Sequence, residues 1–399
     1  MTNLNTLSSP TTPAVVAFVT TLASALAISI ALHYKSKSKK ATMPATPKDG
    51  EKKAGAAAAA TRDPDDPPDL PPRFVIGSFV NSRSQSLFTI KVLPPKAAAA
   101  APSPRAMLVF AHGIGEHCCR PGYVELFGRL SDAGVDVRSL DHHGHGRSDG
   151  RPRGYADKFD DYVVDVVDYV RHCRTECADD GGIIDARPPL ILMGQSMGGL
   201  VCVMAALRLG SDQVGGIILT DPALGVDMDL MLTIQKFFAP AIDRLLPRAK
   251  IVDAVNPRDL SRNPRAVRAY IEDPHIEKGK IVARTAIGMD KAFDVARARR
   301  GEIACPILLL HGTDDRVTSA SASLDFFRNI GSTRKRYLRL RGFFHELFEE
   351  PGTEEEVVKS IVVFASSGGG AFADIAGEGE EAGVFDVEVK NGTPGTEVK

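Results

Sequence analysis

Serine, histidine and an acid can pass one proton between them and turn a hydroxyl into a nucleophile, and this chain presents those residue types in a usable order. Residues 194–199 read Gly-Gln-Ser-Met-Gly-Gly, directly after the apolar run Leu190–Met193. A strand that turns sharply into a helix at G-x-S-x-G holds its serine hydroxyl clear of the backbone, and the glycines let strand and helix approach. Ser196 is therefore the expected nucleophile. Its base and acid should follow it in the chain, acid before base. Of the later histidines, His275 precedes the strand expected to carry the acid. His311 ends an apolar strand and is placed to shape the next loop, whereas His345 lies in Gly342-Phe343-Phe344-His345-Glu346, after the last expected strand, Arg336–Leu340. His345 is the expected base. The acid should follow the strand ending at Leu310, where Asp314 and Asp315 are adjacent and one of them is structural.

An oxyanion needs donors that are already in place. The backbone N–H of Met197 and that of Ile114, in the loop His112-Gly113-Ile114-Gly115-Glu116-His117, are expected to supply them. By type, His112, His117, His142, His143 and His145 could bind a metal; their glycine-rich settings favour loop-shaping hydrogen bonds instead. No Cys-x-x-Cys pair suggests zinc. Neither metal nor cofactor is expected.

The elements that must position these groups alternate. Phe74–Val80 and Ser86–Val92 read as an opening hairpin, followed by strands at Ala106–Ala111, Val135–Leu140, Leu190–Met193, Gly216–Leu219 and Ile307–Leu310, with helical patterns between most of them. Such alternation predicts one α/β domain with a mostly parallel central sheet and a site at the carboxyl ends of its strands. Of the 399 residues, 43% are hydrophobic and 25% charged, the mixture of a globular protein. With 49 Lys+Arg against 50 Asp+Glu there is no positive field to collect phosphate backbones, so nucleic acid is not an expected partner. The six cysteines, including the adjacent Cys118 and Cys119, form no disulfide framework and suit a reducing compartment.

The ends differ in composition. Residues Ala14–Leu32 carry no charge, enough for a helix of roughly 28 Å. Lys35, Lys37, Lys39 and Lys40 follow them. This predicts a membrane anchor over residues 1–33 with the rest of the chain in the cytosol; a secretory lumen or a plastid is the alternative. Residues 34–72, rich in Lys, Ala and Pro, read as a disordered linker, 73–366 as the catalytic domain, and 367–399 as a disordered acidic tail.

Three motifs in sequence, His112-Gly113-x-Gly115-Glu116-His117, Asp141-His142-His143-Gly144-His145-Gly146-Arg147-Ser148-Asp149-Gly150 and Gly194-Gln195-Ser196-Met197-Gly198-Gly199, resemble the monoacylglycerol lipase family of α/β-hydrolases, also called serine aminopeptidase S33-like or lysophospholipase-like. The likeness spans about Phe74 to Phe364. It implies an α/β-hydrolase fold with helices on both faces of the sheet and a helical cap over about residues 223–300. It also implies Asp315 as the acid, His345 as the base, and Ile114 and Met197 as oxyanion donors. Where the family more often has a small residue the chain has Asp221, after the strand Gly216–Leu219, which makes Asp221 a rival acid. The resemblance implies hydrolysis of a monoacylglycerol to a fatty acid and glycerol through an acyl-enzyme. Lysophospholipid hydrolysis, other ester hydrolysis, acyl transfer, and a non-catalytic receptor or scaffold are the competing readings. In the cap, Leu230, Ile234, Phe237, Phe238, Ala241 and Leu245 fall on one apolar helical face that could pack on the core or line an acyl tunnel.

Overall fold

A computed structural model describes residues 69–92, 95, 105–179, 188–225, 239, 241–253, 255–352, 356–374, 378–381 and 383–387. The described residues all belong to one compact unit, Arg62–Lys399. Its elements run β1 (Phe74–Val80), β2 (Ser86–Val92), β3 (Ala106–Ala111), α1 (Pro121–Asp132), β4 (Val135–Leu140), α2 (Asp160–Asp179), β5 (Leu190–Gln195), α3 (Met197–Leu209) and β6 (Gly216–Thr220). There follow β7 (Lys250–Asp253), α4 (Pro264–Glu272), β8 (Lys280–Val282), α5 (Ala283–Arg299), β9 (Ile307–Gly312), α6 (Ala320–Asn329), β10 (Lys335–Leu340), α7 (Glu356–Ser366), β11 (Glu378–Glu381) and β12 (Val384–Val387).

Ten strands form one sheet in the order β1-β2-β4-β3-β5-β6-β9-β10-β12-β11. Pairing is parallel from β4 to β12 and antiparallel at β1-β2, β2-β4 and β12-β11. The central strands are buried on both faces, which is why β3, β5, β6 and β9 read as nearly unbroken apolar runs. Side chains alternate between two cores. Met107 and Val109 of β3 pack with α2, α3 and α5 on one face, while Leu108 and Phe110 pack with α1 and α7 on the other. Buried β4 carries charge at no unpaired cost, because Arg138 Nε donates to Asp136 Oδ1 at 3.0 Å and its Nη1 reaches Glu176.

Between β6 and β9, where a cap is expected, the described elements include the antiparallel pair β7-β8 with α4 and α5. Of the predicted apolar face, Leu230, Ile234, Phe237 and Phe238 lie outside the described residues, and Leu245 is 51% exposed.

Two expectations are corrected. The acidic tail is not wholly disordered: β12 pairs with β10, Tyr337 opposite Val384 through Leu340 opposite Val387. Val384 and Val387 are buried, and Asp386 accepts hydrogen bonds from Arg339 at 2.6 Å and Arg341 at 3.1 Å. A four-residue strand is too short to stand out in an acidic stretch, and the charge read as solvated is paired. The single-pass membrane location also falls: among the described residues no helix is long and apolar enough to cross a membrane, and Ala14–Leu32, on which that expectation rested, lies outside them.

Candidate active site

At the end of β5 the chain turns into α3 through Ser196, whose φ of 54° and ψ of −121° no ordinary strand or helix residue adopts. The turn is held from both sides: Ser196 N–H donates to Thr220 O at 3.0 Å, and Ser196 O accepts from Ala223 N–H at 2.9 Å. Two glycines make it possible. A Cβ on Gly194 would lie 2.2 Å from Gly198 O, and one on Gly198 would lie 2.0 Å from Ala111 O. The second contact presses the start of α3 against the end of β3, the strand that leads into the loop carrying Ile114; Met197 and Ile114 both pack in the same large apolar cluster. Met197 heads α3, where the first N–H groups have no acceptor within the helix. Gln195, the neighbour of Ser196, reaches across to His345 O at 3.4 Å.

His345 and Asp315 meet directly, Nδ1 to Oδ2 at 2.8 Å, with both side chains almost fully buried. Asp315 is fixed by four further donors. Val317 and Thr318 N–H donate to Oδ1 at 2.7 and 3.1 Å, the Thr318 hydroxyl donates to Oδ2 at 2.7 Å, and His311 Nε2 lies 3.2 Å from Oδ2. Burial alone would raise the Asp315 carboxyl, yet the charge of His345 and the hydrogen bonds from His311 and His345 hold it well below the usual carboxylate range. Burial likewise works to lower His345, and the charge and hydrogen bond of Asp315 outweigh it, so the imidazole is more basic than usual. Asp314, the adjacent aspartate, is exposed and accepts from the Thr313 hydroxyl at 3.1 Å.

Asp221 sits within the same group. Its carboxylate, an oxygen of Asp315 and a ring nitrogen of His345 lie within 4.8 Å of one another. Oδ1 accepts from Gly312 N–H at 2.8 Å, while Oδ2 has no hydrogen-bond partner among the described residues. Burial, then the charge of Asp315, push this carboxyl well above its ordinary range.

Of the histidines near the β3 and β4 loops, His112 and His145 hydrogen-bond to backbone, His117 and His143 pair with carboxylates, and both ring nitrogens of His142 lack hydrogen-bond partners among the described residues. His112 Nδ1–H donates to Gly113 O at 2.8 Å and its Nε2 accepts from His142 N–H at 3.0 Å, which fixes the neutral tautomer; burial drives its pKa well down. His145 Nδ1–H donates to His143 O at 3.1 Å, His143 pairs with Asp165 at 2.7 Å, and His117 pairs with Asp273 at 2.8 Å. His275 lies next to that last pair, its ring 5.8 Å from His117.

One part of the site escaped the sequence. Arg120 is buried and joins Glu116, Glu346 at 2.7 Å and Glu349 at 2.6 Å, while the Tyr123 hydroxyl donates to Glu116 Oε2 at 2.6 Å. Glu116 also accepts from Gly113 N–H at 3.2 Å, so one guanidinium ties the Ile114 loop to the residue after His345. Burial raises Glu346 to about 8 against the pull of Arg120. The only trace in the sequence is the charge in Gly115-Glu116-His117 and in His345-Glu346, with no sign that 226 or more residues of separation close into one cluster.

A family model described as serine aminopeptidase, S33, matches residues 102–352. A monoglyceride lipase homolog from monkeypox virus is 31% identical over 259 residues, 65% of this chain and 87% of that protein. The monoacylglycerol lipase of Mycolicibacterium smegmatis is 29% identical over 62% of this chain and 84% of its own length. Among solved structures, the monoacylglycerol lipase of Paleococcus ferrophilus superposes with a TM-score of 0.58 at 28% identity, covering 71% of this chain and 99% of that one. A soluble variant of monoglyceride lipase from Saccharomyces cerevisiae, at 19% identity and a TM-score of 0.60, shares the fold over 73% of this chain and 92% of its own. With the match covering most of the described domain and with the elbow, the strands β3–β6, β9 and β10, Asp315 and His345 inside it, the chain belongs to the serine aminopeptidase S33 family and is an ester hydrolase of the monoacylglycerol lipase-like α/β-hydrolase type.

Proposed function

We propose that the protein hydrolyses the ester of a monoacylglycerol through an acyl-enzyme on Ser196, with His345 as base, Asp315 as acid, and the N–H groups of Ile114 and Met197 as oxyanion donors. His345 takes the Ser196 proton as the hydroxyl attacks the carbonyl, and the C–O bond to glycerol breaks as the imidazolium returns that proton to the leaving alkoxide. Water, deprotonated by the same imidazole, then attacks the acyl carbonyl and frees the fatty acid. Asp315 holds the ring with Nδ1–H toward itself and balances the imidazolium charge. The observation that supports the reading is the 2.8 Å contact between Asp315 and His345 in a buried setting, with the Ser196 elbow at the end of β5, two strands from β9 in the same parallel sheet. The substrate class rests on the names of the relatives, which are monoacylglycerol and monoglyceride lipases. Reaction of the purified protein with a fluorophosphonate, followed by mapping of the adduct, should label Ser196 and abolish turnover of monoacylglycerol. Labelling elsewhere, or faster turnover of lysophospholipid than of monoacylglycerol, would overturn the mechanism or the substrate respectively.

A further inference from the structure

Asp315 Oδ2 faces two histidines. One is His345, whose Nδ1 lies at 2.8 Å. The other is His311, which ends β9 on the face that carries Leu309, so its ring points toward the core in which α6 packs. Its Nδ1 meets the Ser323 hydroxyl of α6 at 2.9 Å, and both side chains are fully buried. A hydroxyl that donates to Nδ1 leaves the proton of a neutral imidazole on Nε2. That nitrogen lies 3.2 Å from Asp315 Oδ2 and 3.9 Å from Asp221 Oδ1, within reach of two buried carboxyl groups.

The pairing matters because Asp221 works against Asp315: two carboxyls buried close together favour uptake of a proton, which would strip Asp315 of the charge that balances an imidazolium. Donors must hold the charge in place. The backbone N–H groups of Val317 and Thr318 both go to Oδ1, the oxygen that does not face His345. On Oδ2 the Thr318 hydroxyl donates at 2.7 Å, but its single proton has a second acceptor in Asp221 O at 3.1 Å. His311 is the other side chain that supports Oδ2. Burial works to raise the Asp315 carboxyl, and the charge of His345 and then the hydrogen bond from His311 outweigh it.

We propose that His311 is a positioning residue for the reaction: its Nε2–H donates to Asp315 Oδ2 and keeps that oxygen ionised and aimed at His345 Nδ1, while Ser323 selects the tautomer that allows it. The assignment rests on Asp315 being the acid of the Ser196 reaction. His311 acts only through Asp315. Its removal should therefore slow turnover without weakening substrate binding, and should matter only while a carboxylate stands at position 315.

The test measures kcat and KM on a nitrophenyl ester for full-length His311→Leu, His311→Gln, Ser323→Ala and Asp315→Asn, and for His311→Leu and Ser323→Ala each combined with Asp315→Asn. Calorimetry of every variant checks folding. His311→Leu should lower kcat about 10- to 100-fold, the worth of one hydrogen bond to a charged group, with KM within about 2-fold. His311→Gln places an amide N–H near the position of Nε2 and should recover at least about 5-fold of that loss. Ser323→Ala frees the tautomer and should cost about 3- to 10-fold, which keeps the test open if His311→Leu does not accumulate. In the Asp315→Asn background each change should cost less than about 2-fold. Losses of equal size in both backgrounds, a His311→Gln variant no better than His311→Leu, an unmoved kcat in Ser323→Ala, or a loss carried by KM would overturn the proposal, since packing alone predicts them. Near wild-type turnover in Asp315→Asn would instead sink the assignment of the acid, and this inference with it; a crippled Asp315→Asn beside an unimpaired His311→Leu would sink this inference alone.

Discussion

Replacing Asp315 with asparagine removes one charge 2.8 Å from the ring that must become positive in the transition state. With an effective dielectric of about 20, a unit pair at 2.8 Å is worth about 6 kcal/mol, or about four orders of magnitude in rate. The amide also offers Nδ1 of His345 a donor where it needs an acceptor, favouring the wrong tautomer. Asp315→Asn should therefore lower kcat about 10⁴-fold on a nitrophenyl ester, while KM changes little. Asp221 lies in the same group, but its carboxyl is pushed up by burial and by the charge of Asp315 and its hydrogen bond goes to Gly312 N–H, so Asp221→Asn should cost less than about 10-fold. The pH profile gives a second check. His345 must be neutral to act as base, and because Asp315 raises its pKa, the acid limb of kcat/KM should lie above the ordinary histidine value in the wild type. Residual activity of Asp315→Asn should show that limb shifted to lower pH. If Asp221→Asn is the crippled variant and Asp315→Asn remains near wild type, the acid has been misassigned.

Further expectations rest on single contacts. Arg120→Ala leaves the buried Glu116 and Glu346 and the half-buried Glu349 without their cation, which should cost about 3–5 kcal/mol and lower Tm by roughly 6–15 °C, read by calorimetry because the chain has no tryptophan; Arg120→Lys should rescue little, since one ammonium cannot bridge three carboxyl groups. An unchanged Tm would mean that the network is solvated. Gly198→Ala drives a methyl to 2.0 Å from Ala111 O, so the protein should either fail to accumulate or show no fluorophosphonate labelling. Ending the chain after Asp374 removes β12, exposes the edge of β10 and forfeits the burial of Val384 and Val387, at about 1.5–3 kcal/mol each. Lower Tm with self-association in sedimentation is the expected result; wild-type stability would show the strand to be dispensable.

Local rules carried much of the site. The elbow is a spacing of glycines around one serine over six residues, and the strands that position it are apolar runs because parallel strands are buried on both faces. Asp315 and His345 could be named as candidates because each follows a strand that is itself legible. What stayed hidden is long-range. Arg120 finds its carboxylates more than two hundred residues away, and no periodicity encodes that meeting. The upward shift of the Asp221 carboxyl depends on its burial and then on the charge of Asp315 beside it, facts of packing and not of composition. β12 was lost because four residues give too few alternations to register as a strand, and its one carboxylate looked like part of an acidic run until Arg339 and Arg341 reached it.

The position of β12 also bears on how the protein is made. The strand that covers the outer edge of β10 comes from residues 384–387 of 399, so a ribosome has built the whole nucleophile elbow, the acid loop and the histidine loop before the sheet can be closed on that side. Until then the growing chain presents the N–H and C=O groups of β10 unpaired, the kind of edge to which other nascent chains add. Expression at slow elongation, or with a bulky fusion placed immediately after residue 387, should therefore penalise yield more than the same fusion placed ahead of the first strand.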